Sequence, residues 1–67
     1  MPIARLTATS DGAELILLAD GQESRESFEF TTQPRSWARA QLREWGYSHG
    51  IHWHNQADGV WVTGPLR

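Results

Sequence analysis

The sequence predicts an α+β fold: a small antiparallel or mixed sheet of four or five strands, in chain order βββαββ, with one helix packed on one face. Three observations carry that expectation. Short runs of strand length are separated by Asp-Gly pairs at 11–12, 20–21 and 58–59, a turn chemistry that suits hairpins. Only one stretch, Pro34 to Trp45, repeats its apolar residues at helical spacing. At 67 residues, with no linker and no low-complexity stretch, residues 1–67 read as a single domain.

Ile3 to Ala8 reads as the first strand, with Ile3 on one face and Leu6 on the other. Ser10-Asp11-Gly12 then turns the chain into a second strand, Ala13 to Ala19. That strand is apolar on both faces, with Leu15 and Leu17 on one and Ile16 and Leu18 on the other. The pattern suits a central strand covered on both sides, or one with an oligomer against its second face. After Asp20-Gly21, the stretch Arg25 to Thr31 alternates Phe28 and Phe30 against Ser27 and Glu29, as a half-buried strand does. Pro34 suits the first turn of a helix, where a missing N–H costs nothing. Ala38, Leu42 and Trp45 share the inner face of that helix, with Trp37 at its margin, and Gly46 is placed to cap its end. Tyr47 to Gly50 reads as a loop. Gly50 to Asn55 and Val60 to Gly64 read as the last two strands, joined through Gln56 to Gly59, with Pro65 to Arg67 as a short tail. The expected core draws on Leu15, Leu17, Phe28, Phe30, Ala38, Leu42, Trp45, Ile51 and Trp53.

A domain this short buries only about 60% of its unfolded surface, so it needs a compensating device. The chain has no cysteine, which excludes disulfides, thiolate metal sites and thiol nucleophiles. It does have four Trp, two Phe and one Tyr, so aromatic packing is the expected compensation. The absence of cysteine fits a cytoplasmic setting. No apolar run approaches the roughly 20 residues of a membrane span, and Met1 to Arg5 lacks the pattern of a secretory signal.

A net charge of −2 argues against general nucleic-acid binding. The charge is unevenly spread. Residues 1–31 carry Asp11, Glu14, Asp20, Glu23, Glu26 and Glu29 against Arg5 and Arg25, a net −4. Residues 32–67 carry Glu44 and Asp58 against Arg35, Arg39, Arg43 and Arg67, a net +2. Every basic residue is arginine, the type that grips carboxylates and phosphates bidentately and stacks on rings.

Two constellations stand out. Arg35, Arg39 and Arg43 lie at i, i+4 and i+8, so they share one helix face. They form either a solvated face, paired with Glu26 or Glu29, or a row of donors for an acidic protein or a phosphate backbone. The second constellation is His49-Gly50-Ile51-His52-Trp53-His54. On a strand, His52 and His54 point the same way and could share a metal ion, with His49 or Asp58 as third ligand. Hairpin register decides their neighbours. A two-residue turn at Asp58-Gly59 sets them beside Trp61 and Thr63. A three-residue turn with left-handed Gly59 sets them beside Val60 and Val62 and joins Trp53 to Trp61, which makes the better core.

Two short resemblances touch on catalysis. Met1-Pro2-Ile3-Ala4-Arg5 resembles the opening of the small tautomerases, whose N-terminal proline is a base, but their first strand runs into a long helix where this chain opens another strand. Ser48-His49 ahead of a hairpin resembles the small toxin ribonucleases, but their Gly-Ser-His is Tyr-Ser-His here, on an acidic chain with three strands before the helix. No phosphate-cradling glycine loop and no nucleophile elbow occurs. The expectation is therefore a non-enzymatic protein-binding or regulatory module, such as an inhibitor or adaptor that occludes a partner surface. No cofactor and no metal are expected. Arg35, Arg39, Arg43, Trp37, His52, His54 and Trp61 are the candidate contacts. Nucleic-acid contact through the arginine face, or a His-based metal site, is the alternative. If Ile16 and Leu18 face away from the helix, a homodimer is the simplest cover for them.

Overall fold

The computed structural model describes residues 2–29 and 33–67. Its elements are β1 (Ile3–Ala8), β2 (Gly12–Ala19), β3 (Gln22–Glu29), α1 (Pro34–Glu44), β4 (His54–Ala57) and β5 (Val60–Thr63). The strands form one sheet in the order β3-β2-β1-β5-β4, and each neighbouring pair runs antiparallel. The α+β class and the βββαββ order are as the sequence predicts. Phe30 and Thr31 of the expected third strand lie outside the described residues, as does the Phe28 side chain.

β3 begins at Gln22, three residues before the alternating pattern starts. The reason is the turn: Asp20 and Gly21 both take positive φ, at 53° and 76°. A turn of that hand passes one strand directly into the next, so Ala19 pairs with Gln22. Gly12 plays a different part. It opens β2 opposite Glu29, and its N–H donates to Thr9 Oγ1 at 2.9 Å.

The helix packs over β1 and β2. Ala38 and Leu42 are fully buried against Ala4, Leu6, Ala13, Leu15 and Leu17, where the alanines admit a close approach. Trp45, Ile51 and Trp53, expected in the core, are half-buried at its margin with Trp37, Tyr47 and Trp61. The helix ends as expected at Gly46. Its φ of 98° turns the chain so that Gly46 N–H reaches Arg43 O at 3.0 Å and Tyr47 N–H reaches Leu42 O at 2.9 Å. This pair of bonds is a Schellman cap.

The largest departures concern residues 50–53 and the last three. β4 starts at His54, so the expected strand from Gly50 to Asn55 is mostly not a strand. Thr63, 1% exposed, takes the place of a ladder partner. Its Oγ1 accepts from His52 N–H at 2.7 Å and donates to Gly50 O at 3.2 Å. Pro65 to Arg67 is no loose tail either. Leu66 is 3% exposed and belongs to the core, its N–H bonded to Pro2 O at 2.9 Å, while Arg67 exchanges backbone bonds with His49.

Candidate binding surfaces

The two faces of the sheet present different chemistry. Alternation along each strand sends Leu6, Leu15, Leu17, Trp61 and Thr63 toward the helix. The alternate side chains form an open face that α1 does not cover.

On the helix side, Arg35, Arg39 and Arg43 are all exposed. The Arg35 guanidinium lies over the Trp61 ring, 5.7 Å from its centroid. The stripe therefore borders the β5 side of the helix. Gln33, Pro34, Arg35, Ser36 and Trp61 line a shallow hollow of about 320 Å³ there. Among the described residues the only ion pairs join Arg25 to Glu14 at 3.7 Å and to Glu23 at 3.3 Å. None joins the helix arginines to Glu26 or Glu29. Trp37 stands two positions from Arg35, about 200° around the helix, and packs against the core.

The hairpin register brings His54 opposite Val62 and Asn55 opposite Trp61. Trp61 and Trp53 accordingly pack on the core, and His54 turns to the open face. Gly59 is left-handed at φ 73° and the β4–β5 ladder is irregular at Gln56. Asn55 Nδ2 stitches the irregularity by donating to Ala57 O at 2.9 Å and Val60 O at 3.1 Å. His52 lies outside the strand and lines a different hollow with His49, Gly50, Gly64, Pro65 and Arg67. His54 lines an apolar recess with Ile3, Val62 and Pro65. Among the described residues no three His, Cys, Asp or Glu side chains stand close enough to hold a metal ion. The seven candidate residues thus fall on separate surfaces: Arg35, Arg39, Arg43 and Trp61 together, His54 behind the sheet, His52 by the C-terminal segment, and Trp37 against the core.

On the open face, the register sets out two adjacent rows. One reads Glu23, Leu18, Ile3 across β3, β2 and β1; the next reads Arg25, Ile16, Arg5, Val62. Ile16 is 6% exposed although no helix covers it, because Arg5 and Arg25 flank it directly and arginine stems cover apolar neighbours. Leu18 and Ile3 are 52% and 41% exposed. Sequence reading had flagged Ile16 and Leu18 but missed Ile3 and Arg5, which join them only once β1 is known to pair with β2.

Compared with known proteins, the chain matches no family model, no curated protein and no solved structure. No described helix is long and apolar enough to cross a membrane.

Proposed function

We propose that this chain is a non-enzymatic protein-binding module that engages an acidic partner surface through Arg35, Arg39, Arg43 and Trp61, and regulates that partner by occluding it. The observation that carries the reading is an exposed row of three guanidiniums without an ion pair among the described residues, its first member stacked on a half-buried indole. Arg43 in the last turn complements the helix dipole, but the row as a whole is not what local physics favours. Like charges at i, i+4 repel by tenths of a kcal/mol. Arg35 stands in the first turn, where the helix dipole disfavours a cation, and that turn holds no acid to offset it. Arg35 and Arg39 thus sit against local preference, and departures of that kind are expected at functional surfaces. Arg and Trp are also the types that dominate protein interface hot spots.

A guanidinium row beside an indole also suits single-stranded nucleic acid, where bases stack on aromatic rings. The acidic residues on β2 and β3 and the net charge of −2 favour the protein reading. The test is affinity capture from host lysate, with and without nuclease, comparing wild type with the Arg35→Ala/Arg39→Ala/Arg43→Ala variant. The expected result is a protein retained after nuclease and weakened at least about 100-fold in the variant. Capture that disappears with nuclease, or that is the same in the variant, overturns the proposal.

A further inference from the structure

We infer that the open face of the sheet is a homodimer interface, formed by a second copy packed face to face about a two-fold axis that crosses the strands between the two rows described above. The surface lies on the other side of the sheet from Arg35 and Trp61, so the inference is independent of the proposed function. It rests on three observations. The large hydrophobic residues left exposed among the described residues, Leu18 and Ile3, both lie on this face, in one row. The rows are complementary to each other. An in-plane two-fold axis between them lays each row on its counterpart, residue for residue along the same strand. Glu23 then meets the partner's Arg25, Leu18 meets the arginine stems that lie over the partner's Ile16, and Ile3 meets the stem of the partner's Arg5. Every apolar contact and every charge pair is made twice, as an isologous interface requires.

The charges also discriminate between arrangements. A two-fold axis running along β2 would lay Arg5 on the partner's Arg25, like on like. The axis across the strands instead adds a third carboxylate partner to Arg25, which already reaches Glu23 at 3.3 Å and Glu14 at 3.7 Å. With strands about 4.8 Å apart and about 3.3 Å per residue, the thirty strand residues span roughly 480 Å² of sheet face per copy. The pair would bury at most about 950 Å², below the size of most stable specific interfaces, so a weak dimer that forms only at high concentration is expected.

Sedimentation equilibrium and light scattering across concentrations up to about 1 mM test this. The wild type should approach twice its 7.6 kDa mass as concentration rises. Leu18→Lys, at a position half-exposed in the protomer and beside Glu23, should keep the circular dichroism of the wild type and weaken the dimer at least about 100-fold. Glu23→Arg should weaken it, and Glu23→Arg with Arg25→Glu should restore it. A wild type that stays monomeric at the top concentration overturns the inference. So does a Leu18→Lys variant that dimerises as well as the wild type, or a double reversal as weak as the single one.

Discussion

Replacing Thr63 with valine removes one hydroxyl and nearly nothing else, because the two side chains have almost the same shape. In the native fold that hydroxyl serves two backbone groups: it accepts from His52 N–H at 2.7 Å and donates to Gly50 O at 3.2 Å. The site is closed to solvent, with Thr63 1% exposed, so water cannot substitute fully for either bond. Losing an intramolecular bond costs about 0.5–1.5 kcal/mol, and leaving a buried group unsatisfied about 1–3 kcal/mol. His52 N–H and Gly50 O retain a contact with each other at 3.1 Å, so both are only partly orphaned. The expected loss for Thr63→Val is therefore about 2 kcal/mol. For a domain of this length that lowers the Tm by roughly 8–16 °C. Urea and thermal unfolding followed by tryptophan emission give the loss, and hydrogen exchange at the His52 amide gives its cause. Thr63→Ser keeps both bonds and loses one methyl, about 1 kcal/mol, and should leave the His52 amide protected. A Thr63→Val protein within about 0.5 kcal/mol of wild type, with that amide still slow to exchange, would refute the assignment of Thr63 as the clamp on residues 50–53.

Three further substitutions probe the framework. Gly46→Ala should cost about 1–2 kcal/mol from backbone strain alone, since φ is 98° and an added Cβ meets no atom within 4 Å; an unchanged Tm would remove the Schellman cap from the account. Gly50→Ala would drive a Cβ into the Pro65 carbonyl oxygen. Exchange should then accelerate at the Ser48, His49 and Arg67 amides while the β2–β3 ladder stays protected, and equal protection at all three amides would contradict the close approach. Leu42→Ala, at a fully buried position, should cost about 2–5 kcal/mol. A domain of this size has about 3–5 kcal/mol to lose, so a Tm lowered by at least about 8 °C is expected, and a Tm shift of only about 3 °C would argue against the core position of α1.

What the sequence by itself determined is what local chemistry controls. Asp20-Gly21 specified a turn, Pro34 and Gly46 bracketed a helix, and Ala38 and Leu42 marked its buried face, because each signal acts within a few residues. The double-sided apolar pattern of β2 correctly placed it inside the sheet, but that Ile16 and Leu18 lie on the face away from the helix was decided only by the packing of α1. Tertiary structure decided whatever depends on long-range pairing. Residues 50–53 look like strand from their alternation, but a hydroxyl eleven and thirteen positions away satisfies their backbone instead of a ladder. Leu66 reads as part of a tail until Pro2 holds its N–H and the core closes over it. Pairing of β5 with β1 turned Trp61 onto the core beneath Arg35, and the irregularity at Gln56 turned His54 onto the opposite face, which separated residues that stand together in the sequence. Ile3 and Arg5 joined Leu18 and Ile16 for the same physical reason: a side chain's face follows from its own strand, but its neighbours follow from which strand lies alongside.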